Sequence, residues 1–166
     1  MTAADNLPRI EEFVALGAAF DDTLLLPAEA ALYRPFSDAW SIVEQVMHCA
    51  DFDVANFHRY RWGIVSPGTT VLSFDSLWTS RLDYQHGDLA LAVGAIKAVR
   101  RLMADHLRRI AGDDWSRYRY LFPDGSGFTL HEGLDHFIRH VAFHRELIDR
   151  NLRLFAESAR KGGSGG

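Results

Sequence analysis

The stretch that decides the fold is TLHEGLDHFIRHVAFH, Thr129–His144. Thr129 and Glu132 have the spacing of a capping box, in which each side chain accepts a hydrogen bond from the backbone N–H of the other residue. Apolar residues then recur at helical spacing and predict one helix with one buried face, from Thr129 to Phe155. The residues of that face are Leu134, Phe137, Ile138, Val141, Ile148, Leu152 and Phe155.

Three histidines follow one another at intervals of four on this helix: His136, His140 and His144. A step of four residues turns a helix by only about 40°, so His140 and His144 point nearly the same way, one turn apart. This spacing lets one helix offer two imidazoles to one metal ion. The helix alone leaves open the alternative of two hydrogen-bonded or half-exposed histidines. His136 lies about 80° from His144, so we interpret it as a group behind the ligands or at the pocket mouth.

Composition indicates one globular domain and excludes some classes of protein. The chain has 166 residues, 48% of them hydrophobic, and we expect a single domain over residues 1–160. Its net charge is −4 with both signs interspersed, which does not fit the basic stripe of a nucleic-acid-binding surface. The single cysteine and the lack of a long apolar run favour a cytoplasmic protein without a membrane partner. Residues 161–166, KGGSGG, are typical of a flexible linker or an expression scar.

Two more helices are predicted on either side of the centre of the chain. The first runs from Leu7 to Ala31, with Pro8 in its first turn and with Pro27 as a residue that can kink or shorten its far end. Another begins after Asp88, which can cap it, and runs to about Ile110. The predicted core positions of the two are Ile10, Phe13, Val14, Leu16, Phe20, Leu24, Leu25, Leu89, Leu91, Val93, Ile96, Val99, Leu102, Met103, Leu107 and Ile110.

The helix between these two, which is helix two in chain order, carries the most informative polar residues. Ser41-Ile-Val-Glu44 is a second capping box, which predicts a helix from Ile42 to about Ile64. Its apolar side is Val43, Val46, Met47, Ala50, Val54 and Phe57. Beside this side run Ser41, Glu44, His48 and Asp51, and polar groups at the edge of a core are costly unless they have partners. Capping explains Ser41 and Glu44, but His48 has no such local explanation.

The connections complete the predicted fold. The long segment 66–87 predicts a crossover, with a helix of its own around Phe74–Arg81. Trp115–Phe128 alternates aromatic with polar residues around a turn and predicts a small hairpin. The fold class is therefore all-α: a four-helix bundle with a long crossover connection between helices two and three.

Sites in such bundles are built from side chains of neighbouring helices, so His48, His140 and His144 can form one metal site. Three neutral imidazoles leave a divalent ion an open position, as in catalytic sites. Asp51 is one turn from His48 and can hydrogen-bond a ligand imidazole or a bound water, although a surface carboxylate is an equal alternative. We interpret Cys49 as a small core residue, with a reactive thiol as the alternative. The other histidines, His58, His86, His106 and His131, are interpreted as structural or surface groups.

At these residues the chain resembles the DinB-like superfamily of bacterial metalloproteins. Trp40-Ser-Ile-Val-Glu-Gln-Val-Met-His48-Cys-Ala-Asp51 is similar to its second-helix signature, and His140-Val-Ala-Phe-His144-Arg-Glu-Leu-Ile148 to its fourth-helix signature. The order of the two segments also matches.

The resemblance implies a zinc or nickel ion held by residues equivalent to His48, His140 and His144, and it allows a homodimer. Characterised relatives are thiol-dependent transferases and isomerases that use thiols such as mycothiol or bacillithiol, and other members are described only as metal-dependent hydrolases. The implied function is a thiol-dependent transferase or hydrolase that acts on a small electrophilic molecule. Asp51 and His136 are its candidate auxiliary catalytic residues. The alternative is a non-enzymatic metal-binding or stress-related bundle protein, whose metal site would be closed rather than open to a cleft.

Overall fold

Four long helices form the body of the computed structural model, which describes residues 3–73 and 78–162. They are α1 (Ala3–Ala15), α3 (Ile42–Val65), α5 (Leu89–Arg109) and α6 (Leu130–Gly162), with the short helices α2 (Ala28–Ala31) and α4 (Trp78–Arg81) between them. α3 packs against α5 and α6, and α1 packs against the same two helices. The predicted four-helix bundle with a long connection between its second and third helices is confirmed.

The long helices begin where the capping signals place them. In α3, the Ser41 N–H donates to Glu44 Oε2 at 2.8 Å and the Glu44 N–H donates to Ser41 Oγ at 3.2 Å. Thr129 and Glu132 make the same reciprocal pair before α6, at 2.8 and 3.4 Å. The Asp88 carboxylate accepts the Leu91 N–H at 3.0 Å and caps α5. α6 continues through Gly162, so only residues 163–166 of the predicted linker lie outside the described residues.

The first predicted helix is wrong in its length. α1 ends at Ala15, and two 3-10 turns, Leu16–Ala18 and Asp21–Leu25, carry the chain to α2. The Thr23 hydroxyl donates to the Phe20 carbonyl at 2.6 Å, a local bond that competes with helix continuation. Pro27 has no N–H to donate and precedes α2 with extended backbone.

Several predicted core positions are exposed in the structure. Leu24 and Leu25, in the 3-10 turn, are 44% and 87% exposed. Pro8 lies inside α1 rather than in its first turn, because α1 begins at Ala3. Val54, Leu91 and Leu102 are 50%, 73% and 47% exposed, because each helix faces its neighbours with a narrower stripe than its apolar positions define. The α6 positions Leu134, Phe137, Ile138, Val141 and Ile148 are buried as predicted.

A small sheet closes one side of the bundle. Strands β2 (Arg119–Leu121) and β3 (Gly127–Thr129) are antiparallel, with Tyr120 opposite Phe128, which confirms the predicted hairpin. Strand β1 (Thr69–Thr70) adds to β2 in parallel and was not predicted. In the crossover, α4 accounts for part of the helix predicted over Phe74–Arg81. Residues 74–77 of that prediction lie outside the described residues. None of the helices in the described part of the chain combines the length and apolarity needed to cross a membrane.

A buried ion pair ties α3 to α5. Arg100 donates from Nε and Nη2 to the two oxygens of Asp53 at 2.6 and 2.9 Å, and both side chains are 1% exposed. Arg100 Nη1 also donates to the Phe13 carbonyl at 3.2 Å, so the pair reaches α1 as well. Burial raises the pKa of Asp53 and the Arg100 charge opposes that rise. The pair therefore holds three of the four long helices together.

We expect Asp53→Ala to destabilise the protein by about 3–5 kcal/mol, because it leaves the Arg100 charge buried without its partner. Urea denaturation of the parent and variant measures the difference. Glu11→Ala is the matched control, since it breaks the exposed pair with Arg108 and should change stability little. Equal effects of the two substitutions would contradict a structural role for the buried pair.

Candidate metal centre

Two helices bring the three predicted histidines together. His48 lies on α3, and His140 and His144 lie one turn apart on α6, which packs along α3. The Nε2 atom of His140 is 3.1 Å from Nε2 of His48 and 3.2 Å from Nε2 of His144. One ring nitrogen from each residue lies within 4.8 Å of the other two. The predicted convergence of the imidazoles of α3 and α6 is therefore present.

Burial keeps all three imidazoles neutral near pH 7. It lowers the pKa of His48 to about 4 and that of His144 to about 3. The pKa of His140 is lowered to about 2, first by burial and then by the neighbouring charges of His144 and His48. A neutral imidazole has one nitrogen lone pair available, which is the form that ligates metal ions.

A single proton on His140 does not make a full hydrogen bond in both of its close contacts with the other two rings. The Gln45 carbonyl oxygen Oε1 only accepts, so the Nδ1 of His144 that contacts it carries the proton and Nε2 keeps its lone pair. One proton on His140 Nε2 serves only one of its two neighbours. A single cation between the rings accepts a lone pair from each, and the 3.1 and 3.2 Å separations suit metal–nitrogen bonds of about 2.1 Å. The residues present therefore fit a divalent metal ion.

Neighbouring side chains hold the rings in place. Trp40 stacks on His144, with ring centroids 6.2 Å apart and planes 8° apart, and its centroid lies 4.9 Å from that of His48. Phe52 stacks on His140 at 3.8 Å and 14°. Sequence reasoning missed Gln45, although its position three residues before His48 on the same helix was a signal that could have found it.

The structure also locates the two predicted auxiliary residues. His136 stacks on Phe128, with ring centroids 5.4 Å apart, and its own centroid is 6.0 Å from that of His140, so it lies beside the cluster but does not join it. Burial lowers the pKa of His136, and the charge of Arg139 lowers it further. Asp51 accepts a hydrogen bond from the Tyr84 hydroxyl. A catalytic role for either residue stays a prediction.

The other polar candidates have structural partners. Glu44 caps α3 and pairs with Arg34 at 2.6 Å. Cys49 is 1% exposed, and burial raises the pKa of its thiol well above the usual value, so it is a core residue.

Each remaining histidine also packs away from the cluster. The His106 Nδ1 lies 2.7 Å from the Tyr60 hydroxyl, and His131 packs against Trp115 at 5.2 Å. His86 pairs with Asp83, and His58 accepts the Trp62 indole N–H.

The cluster is reached from two clefts, and His48 and His140 line both. The larger, which we call the Trp40 cleft, has a volume of about 530 Å³. It is bounded by Phe36, Asp38, Ala39, Trp40, Gln45, His48, His140, Phe143, His144, Leu147 and Arg150. The smaller, which we call the Arg59 cleft, has a volume of about 360 Å³. The centre is therefore open to small molecules rather than closed.

The depressed pKa values predict how the metal-free protein responds to acid. Below about pH 6.5 the unfolded chain protonates these histidines while the folded chain does not. The free energy of unfolding should fall by about 1.4 kcal/mol per pH unit for each such proton, down to about pH 4, the pKa of His48. Urea denaturation in the presence of a chelator, from pH 7.5 to 4.5, measures this slope.

His140→Leu should make the fall in the free energy of unfolding with decreasing pH less steep, because it removes one of the histidines that only the unfolded chain protonates. His86→Gln, which removes an exposed imidazole outside the cluster, is the matched control. The same slope in His140→Leu and in the parent protein would show that these histidines are not held neutral by the fold.

Comparison with known proteins identifies the fold and the family of this chain. The fold is similar to that of YfiT from Bacillus subtilis, described as a probable metal-dependent hydrolase with an unusual four-helix bundle topology. The two structures match with a TM-score of 0.85 and 14% identity, over 94% of this chain and 90% of YfiT, a likeness that shows the fold. No curated protein matches the chain in sequence. The family model of the DinB superfamily matches residues 13–148, which include all three clustered histidines, and the chain therefore belongs to the DinB superfamily.

Proposed function

We propose that this protein is a metal-dependent enzyme whose divalent ion is held by His48, His140 and His144. The observation that supports this most directly is the convergence of three neutral imidazoles, with Nε2 of His140 3.1 Å from Nε2 of His48 and 3.2 Å from Nε2 of His144. When bound, an ion held by three neutral ligands keeps its double charge and lowers the pKa of a water or thiol at its open position. Zinc and nickel are the metals we propose, since both accept imidazole nitrogen.

The protein's own residues prepare the site for that ion. Gln45 fixes the tautomer of His144, and the stacked rings of Trp40 and Phe52 limit rotation of the imidazoles. Ligands that are already neutral and oriented need not lose a proton or a rotamer when metal binds. We propose that His136 orients a reactant beside the metal ligands. We propose that Asp51, through its hydrogen bond with Tyr84, holds α3 in position.

The reaction we propose is transfer of a low-molecular-weight thiol to a small electrophilic molecule, or hydrolysis of such a molecule. The Trp40 cleft supports an enzyme over a purely stabilising site, because it opens onto all three histidines and has both apolar walls and polar groups such as Asp38 and Arg150. A metal bound only for stability would need no such opening. The family resemblance also leads us to propose a homodimer, which sedimentation can test.

Replacing His48, His140 or His144 with Ala should abolish stoichiometric metal. Metal should stabilise the parent protein by about 2.7 kcal/mol at a hundredfold excess over Kd, and these variants should lose that gain. Bound zinc and nickel are measured by mass spectrometry, and Tm with and without chelator. His131→Ala should behave as the parent, because its ring packs on Trp115.

Loss of metal in His136→Ala with retention in His140→Ala would show that the ligand set is wrong. Protein that neither copurifies with metal nor binds it on addition would reject the metal site itself. For the reaction, a thiol-transfer and ester-hydrolysis screen of the zinc- and nickel-loaded parent should show turnover that His144→Ala lacks. Equal turnover by parent and variant would favour the non-enzymatic alternative.

A further inference from the structure

The Arg59 cleft has a different character from the Trp40 cleft. Its walls include three aromatic rings, those of Phe52, Phe122 and Phe128. Its polar groups beyond the histidine cluster are Asn56, Arg59, Ser73 and His136. No aspartate or glutamate among the described residues lines it. The cleft is therefore an apolar space that holds one positive charge and lies next to the proposed metal ligands.

Arg59 is held rigidly and only in part satisfied. The residue is 6% exposed, its Nε donates to the Leu72 carbonyl at 3.0 Å, and its Nη1 donates to Asn56 Oδ1 at 3.1 Å. Asn56 is fixed in turn, since its Nδ2 donates to the Phe52 carbonyl at 2.9 Å. The Arg59 Cζ lies 5.5 Å from the centre of the Phe122 ring. Both observed bonds leave the Nη2 hydrogens of Arg59 for a further acceptor.

A comparison of the two most buried arginines shows what Arg59 lacks. Arg100 meets both oxygens of Asp53, as a buried guanidinium normally requires. Among the described residues, no carboxylate lies within ion-pair distance of Arg59. A guanidinium stays protonated even where burial disfavours its charge. Arg59 is therefore a fixed, buried positive charge that lines a cleft and meets only neutral acceptors in the described part of the chain, which favours an anionic ligand.

We propose that the Arg59 cleft is a carboxylate-binding subsite. Arg59 pairs with the carboxylate of a small reactant, and the phenylalanine rings enclose its apolar part. The forked N–H donors of arginine match a carboxylate, and one unbalanced positive charge suits a single negative charge better than a phosphate dianion. This inference rests on the proposed function and narrows its substrates to carboxylates with an apolar or aromatic body. The carboxylate can belong to the electrophile or to the thiol.

Binding of phenylacetate tests the proposal in parent protein from which chelator and metal have been removed by dialysis. Isothermal titration calorimetry should show at least tenfold tighter binding of phenylacetate than of phenylacetamide, which has the same shape without the charge. Arg59→Gln should remove that preference, and Arg59→Lys should keep part of it, because it keeps the charge without the fork. Arg61→Gln is the matched control on the same helix, since Arg61 is exposed and lies outside the cleft.

Equal affinity of the parent for phenylacetate and phenylacetamide, or no binding of either, overturns the proposal even if the Arg59 variants do not fold. So does a preference that disappears in Arg150→Gln but not in Arg59→Gln, which would place the carboxylate in the Trp40 cleft. The pair N-acetylcysteine and N-acetylcysteamine, compared in the same way, shows whether the thiol supplies the carboxylate.

Because the binding measurement uses metal-free protein, it tests the carboxylate subsite separately from the proposed metal-dependent function. Carboxylate selectivity in protein that never binds metal supports the subsite and rejects the metal enzyme. Metal binding without carboxylate selectivity supports the metal site and rejects the subsite.

Discussion

The contact between α3 and α6 at three imidazole nitrogens is the constraint on which the rest of the site depends. His140 faces His48 on one side and His144 on the other at hydrogen-bond distance, and Gln45 has already settled which nitrogen of His144 carries a proton. One proton cannot serve both contacts, and burial makes a second proton costly. The fold therefore holds an arrangement that the proposed metal ion would complete. The packing of two helices is what maintains it.

The two buried arginines, Arg100 and Arg59, lie in different surroundings. Arg100 and Arg59 are both buried arginines on bundle helices, and both donate to backbone carbonyls. Arg100 also meets Asp53, and this pair joins three helices without facing a cleft. Within residues 3–73 and 78–162, Arg59 meets only neutral acceptors, and it lines a cleft beside the histidines. The Arg100 charge has an internal partner and stabilises the fold, whereas the Arg59 charge is the one proposed to pair with a ligand.

Much of the architecture could be predicted because its signals are local. Capping boxes at Ser41 and Thr129 place the starts of both ligand helices to the residue, since each depends on groups only three positions apart. The spacing of His140 and His144 sets their common direction in the same way. The first helix shows the limit, because its apolar pattern continues to Leu25 although α1 ends at Ala15 and two 3-10 turns follow.

The sequence by itself determined the helices, their caps and the histidines that could share a face, because helix geometry relates residues within a few positions of one another. Only the tertiary structure decided that His48 meets His140, a contact between residues 92 positions apart. It also decided that Gln45 contacts His144 and that Arg59 meets no carboxylate among the residues the structure describes. Such relations depend on how helices are rotated and shifted against each other. That arrangement is set by the packing of the whole core, which no local pattern specifies.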